Sequence, residues 1–161
     1  MNWLTSGGVL LGAGAALVGG VFLAFSDFVM RGLTLTEGAG GIEAMQHISR
    51  TVLRSVFLTT FLALVPASIA MAVYASFKLS GSAQQLFVAG AVIYCVTVFA
   101  VTMFRNVPMN NRLEALPPAS TEAQDYWNTY GHVWTRWNHV RTVGSWAAAG
   151  CFLVAAVQSV G

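Results

Sequence analysis

Four runs of apolar residues, each long enough to cross a bilayer, constrain this chain more than any other feature of it. A helix needs about 20 residues to cross a hydrocarbon core of about 30 Å, and lipid offers no partner to a free backbone N–H or C=O. The runs at about 3–30, 52–77, 85–104 and 139–157 therefore read as membrane helices. The expected fold is all-α, a four-transmembrane-helix bundle in which residues 1–161 form a single integral membrane domain. With 56% hydrophobic and only 9% charged residues, water is not the main solvent of such a chain. No Lys or Arg precedes the run that begins at Trp3, and no small-residue cleavage site follows it, so the first block is expected to stay as a helix.

The connections differ in character. A glycine-containing loop from Arg31 to Ala44 leads to a helix that is expected to start near Glu43 and to cross the membrane as Val52 to Phe77, kinked at Pro66. The turn at Lys78 to Ser82 is short, so the second and third spans should form a hairpin. After Arg105 the chain reads as irregular up to Leu116-Pro117-Pro118, and Ser120-Thr121-Glu122 then offers a helix N-cap. A last helix from Thr121 to about Val157 would span roughly 55 Å at 1.5 Å per residue. Its first half must protrude from the membrane or lie in the interface.

Small residues at Gly8, Gly12, Ala16 and Gly20 recur every four positions, a spacing that lets helices approach closely. Both packing within the bundle and a homo-oligomer contact suit that face. Cys95 and Cys151 sit inside apolar runs and read as packing residues rather than a disulfide.

A net charge of +2 without a basic stripe excludes a nucleic-acid surface. Arg31, Arg50, Arg54, Arg105, Arg112, Arg136 and Arg141 flank the first and third connections, while Lys78 alone lies at the other end. By the positive-inside rule the long connections face the cytoplasm, in a multi-pass protein of the plasma membrane. The acids and histidines gather at that same end, a pattern that loop solvation alone does not require.

Within this cluster Asp27 is four residues from Arg31 and is expected to pair with it, or across the bundle with Arg50 or Arg54. Gln46, Arg50 and Arg54 form an i, i+4, i+8 line beside His47. Arg50 reads either as an interfacial anchor or as part of an anion site. Asn106, at the membrane boundary, needs a partner because an unpaired buried amide is costly. Asn110 suits a turn or a ligand contact. Tyr126, Tyr130, Trp134 and Trp137 follow helical spacing and lead into Asn138, His139 and Arg141, groups suited to proton transfer and anion stabilisation. A metal would need His139 with His47 or Asp27, since His132 and His139 are about 10 Å apart along the helix axis.

Four segments carry a family resemblance: Phe25-Ser26-Asp27-Phe28-Val29-Met30, Ala44-Met45-Gln46-His47-Ile48-Ser49-Arg50, Asn106-Val107-Pro108-Met109-Asn110 and Trp137-Asn138-His139-Val140-Arg141-Thr142. At these residues the chain resembles the anthrone oxygenase-like family of small membrane proteins, over nearly its whole length. Ser49 departs from the asparagine usual after the isoleucine of the second segment. The resemblance implies a membrane oxidoreductase, a monooxygenase acting on a hydrophobic aromatic, anthrone-type substrate without a dedicated organic cofactor. A haem or transition metal is the alternative. His139 would then take a proton from the activated ring methylene. Arg141 or Arg50, with Asn106 and Asn138, would hold the enolate, and the carbanion would react with dioxygen. Tyr130, Trp134 and Trp137, with Asp27, Gln46 and Asn110, would bind the substrate. Two other classes fit the residues, a non-catalytic membrane subunit or lipid-binding protein and a haem- or metal-binding redox protein.

Overall fold

The computed structural model describes residues 3–159, and among them the protein is all-α, helices joined by short turns without a strand. Four helices are long and apolar enough to span a membrane: Trp3–Thr34, Val56–Lys78, Ser82–Glu114 and Thr121–Gln158. They are consistent with an integral membrane protein. The first comprises α1 (Trp3–Ala24), a π-turn π1 (Phe25–Val29) and α2 (Met30–Thr34). After Gly38, in a left-handed turn at φ 58°, comes α3 (Gly40–Val52), followed by α4 (Val56–Lys78). The third rod joins α5 (Ser82–Ile93), π2 (Tyr94–Ala100), π3 (Thr102–Asn106) and α6 (Val107–Glu114), and α7 (Thr121–Gln158) is the fourth.

α7 starts where the Ser120 hydroxyl accepts the Ala123 amide, and it continues for 38 residues. Its second half packs antiparallel to α1 through small residues. A Cβ on Gly8 would lie 2.7 Å from that of Ala156, one on Gly12 would meet Leu153, and one on Gly19 would enter the Trp146 ring. The buried series on α1 is Thr5, Gly8, Leu11, Gly12, Ala15, Val18, Gly19 and Phe22, a repeat of about 3.5 residues. The four-residue stripe expected from the sequence is therefore corrected. Gly8 and Gly12 belong to the internal seam, whereas Ala16 and Gly20 have rotated out to the exposed face, because a strict four-residue step drifts around a helix of 3.6 residues per turn.

Two further expectations are corrected. The second helix is not continuous from Glu43: the chain turns at residues 53–55, and Ser55, in extended backbone, recaps α4 by accepting the Leu58 amide. The line of Gln46, Arg50 and Arg54 is thereby cut before Arg54. The segment after Arg105 is helical to Glu114, not irregular, because π3 widens the turn ahead of Pro108, where the proline ring would otherwise meet a carbonyl of a regular helix. Cys95 and Cys151 are free thiols, as expected.

Two hydrophobic cores result. One, in the membrane half, gathers Leu11, Ala15, Val18, Phe61, Phe87 and Phe152 among others, while Leu10, Leu17, Val73 and Val157 face outward. The other caps one end of the bundle: Met30, Ile42, Met45, Leu113, Tyr126, Trp127 and Tyr130 pack where α2, α3, α6 and the first half of α7 meet.

Candidate functional site

Between the two cores lies a cavity of about 650 Å³ with mostly apolar walls. That is within the ~300–1,000 Å³ of small-molecule sites. Phe22 and Phe25 on the first rod, with Phe57 and Phe61 of α4, form its membrane side. α3 and the turn after it cover the opposite side, bringing His47, Ser49 and Arg50. Thr102, Asn110 and Glu114 come from the third rod, Trp134 and Arg141 from α7.

Arg141 is the pivot. Its side chain is only 5% exposed and its guanidinium lies 4.2 Å from the centre of the Phe22 ring and 5.1 Å from that of Trp134. One terminal nitrogen donates to Asn138 Oδ1 at 2.6 Å and the other to Thr102 Oγ1 at 3.3 Å, leaving Nε without a partner. No carboxylate pairs with it; among the described residues the ion pair is Arg50–Glu114, at 2.6 Å. A buried cation without a counter-charge costs several kcal/mol, which the two ring contacts and two hydrogen bonds of Arg141 offset in part.

Neighbouring amides are oriented by their own bonds. Asn138 donates from Nδ2 to the Phe22 carbonyl and to Ser26 Oγ, both at 2.6 Å, which turns its oxygen to Arg141. The Phe22 carbonyl lies just ahead of π1, where the regular ladder of the first helix loosens. Asn110 Oδ1 accepts from Tyr130 Oη and Trp134 Nε1, both at 2.8 Å. An indole N–H only donates, so the atom facing it must be oxygen, and the Asn110 NH2 is left for the cavity. Glu114 holds Arg50 through Oε1, while its Oε2 is buried without a partner.

The other residues singled out from the sequence fall elsewhere. Arg50 reaches the cavity but is engaged by Glu114, so it is not the free cation. Gln46 ties α3 to α6, donating to the carbonyls of Leu113 at 2.8 Å and Leu116 at 3.0 Å. Asn106 donates to the Trp134 carbonyl at 3.2 Å and is absent from the cavity wall, with Oδ1 unpaired. Tyr130 stacks between Trp127 and Trp134 inside the cap, so of the expected aromatic platform only Trp134 faces the cavity. Trp137 lies outside it, beneath the Arg105 guanidinium at 4.7 Å. Asp27 is exposed and forms none of the ion pairs expected of it.

His139 is exposed and lines a second groove, not the Arg141 cavity, because residues two apart on a helix point about 200° apart. His47 lines the main cavity, so the suggested metal set of His139 with His47 is divided between two places, and no three His, Cys, Asp or Glu side chains converge among the described residues. Sequence reading passed over Phe22, Phe57, Phe61, Thr102 and Glu114. The first four are ordinary in a membrane helix. Glu114, in a segment taken as irregular, had no helical face to be placed on.

The family model for anthrone oxygenase matches residues 44–151, which includes most of the cavity lining and the α7 segment bearing Arg141 but not Phe22 and Phe25 of the first rod. No curated protein and no solved structure matches the chain.

Proposed function

The chain belongs to the anthrone oxygenase family, and from that premise we propose that the Arg141 cavity binds a planar, lipid-soluble aromatic ketone as its enolate and presents it to dioxygen. The observation that carries this reading is the buried guanidinium with no carboxylate partner in a cavity whose walls are mostly apolar. An enolate oxygen placed on Arg141 and on the free amide of Asn110 would supply the missing charge. The ring system would rest against Trp134 and the Phe22–Phe57–Phe61 wall. Excluding water there strengthens each contact to the oxyanion.

The proton at the activated methylene passes, in this reading, to Glu114 Oε2. It is the buried, unpartnered oxygen of the acid that lines the cavity, and Arg50 positions it from the other oxygen. His139, in its separate groove, is replaced in that role. The carbanion then reacts with dioxygen. The methylene carbon loses both hydrogens and becomes a carbonyl, one oxygen atom being retained and the other leaving as water.

Oxygen uptake by purified protein with a model anthrone tests the proposal. Arg141→Gln should lower kcat by about 10²-fold or more, the usual loss of an oxyanion donor. Glu114→Gln should also be severely slowed, and His139→Ala should stay near the parent rate. Loss in His139→Ala with full activity in Glu114→Gln would return the base to His139.

A further inference from the structure

The second groove, about 410 Å³, opens on the face of α7 that carries His132, Arg136 and His139, with Arg31 of α2 across from them. No Asp or Glu lines it, and Asp27, next in sequence to its Ser26, pairs with neither arginine. This sets Arg31 and Arg136 apart from four of the other arginines. Arg50 has Glu114, Arg105 has the Trp137 ring, Arg112 has the Tyr126 ring at 4.2 Å and Arg141 has two rings and two hydrogen bonds. Among the described residues Arg31 and Arg136, like the exposed Arg54, have neither an ion pair nor a ring contact, but only these two face each other across one groove. Gly131 lets α2 come close to α7 at the groove floor, where a Cβ would lie 3.1 Å from Thr34 Cγ2.

The same stripe of α7 changes character along its length. His132, Arg136 and His139 continue at helical spacing into Val143 and Trp146, which are 69% and 55% exposed. A cationic patch that passes into an exposed apolar track matches the two parts of a phospholipid, an anionic headgroup above and acyl chains below. We propose that this groove binds the phosphate of an anionic phospholipid, with Arg31 and Arg136 as its principal contacts and Val143 and Trp146 against the acyl chains. Guanidinium groups hold phosphate oxygens by paired, charge-assisted hydrogen bonds.

The test is native mass spectrometry of the detergent-purified protein with dioleoylphosphatidylglycerol, and with dioleoylphosphatidylcholine as the zwitterionic control. The expected result is preferential retention of the anionic lipid. Arg31→Gln/Arg136→Gln should reduce it about tenfold or more, Val143→Gln should reduce it less, and Arg54→Gln, an exposed arginine away from the groove, should leave it unchanged. Unchanged thermal unfolding of the double variant separates loss of binding from loss of fold. Equal retention in the double variant and the parent would overturn the proposal. Displacement of the lipid by millimolar inorganic phosphate would overturn the lipid assignment in favour of a soluble phosphate.

Discussion

The two cores of this protein are packed by different means. In the membrane half α1 and α7 meet through Gly8, Gly12, Ala15 and Gly19 against Ala148, Ala149 and Ala156, with few side-chain hydrogen bonds. In the cap, Tyr130 stacks between Trp127 and Trp134 and meets Tyr126 edge-on, and Tyr130 and Trp134 use their polar ends on one oxygen of Asn110. Lipid tails are as apolar as leucine, so helices there associate through close van der Waals contact, which small residues permit. Beyond the bilayer, large rings gain from leaving water, and their donors need partners. The cavity lies where one regime gives way to the other, and Arg141 is the charge held at that junction.

Arg141→Met would separate function from stability most sharply. Turnover should fall by 10²-fold or more, as for other lost oxyanion donors, while thermal unfolding moves little or rises, since a buried cation without a counter-charge is a liability to the fold. Gly8→Val should act in reverse. Its side chain would press on Ala156 and the Phe152 carbonyl and cost about 1–3 kcal/mol by overpacking, read by unfolding in detergent, with the cavity at the other end of α1 left intact.

Tyr130→Phe tests the cap. It removes one of the two bonds that orient Asn110 and should cost about 1 kcal/mol of stability, with a few-fold drop in turnover and ring stacking retained. Gly20→Ala, facing open space, should be neutral within about 0.5 kcal/mol. An effect there as large as at Gly8 would show that the outer face is also packed.

The two regions were unequally legible in the sequence. Apolar length and the Ser120 cap sufficed for the spans and for the start of α7, because both signals are local. The break at residues 53–55 was hidden, since Leu53-Arg54-Ser55 holds neither Gly nor Pro and the turn depends on α3 being drawn over the cap by Gln46. The helix through Pro108 was hidden as well, because π3 has no composition that marks it. Asn138, Arg141 and Asn110 stood out by their polarity at the membrane boundary and Trp134 by the helical spacing of its aromatic face, and the structure brings the four together beside one cavity. The separation of His139 from Arg141 was already implied by their two-residue spacing, and the clustering of polar types in one short segment obscured it. Glu114 needed the tertiary structure, since only α3 brings Arg50 to it.

The most direct test of an anion-receiving Arg141 is the ionisation of a hydroxyanthraquinone bound in the cavity, followed by its absorption as pH is varied. The phenol bound to the parent protein should ionise at lower pH than in detergent alone, and that shift should vanish in Arg141→Gln. A phenol that binds and ionises at the same pH in both proteins would contradict the account, whatever the oxygen-uptake rates are.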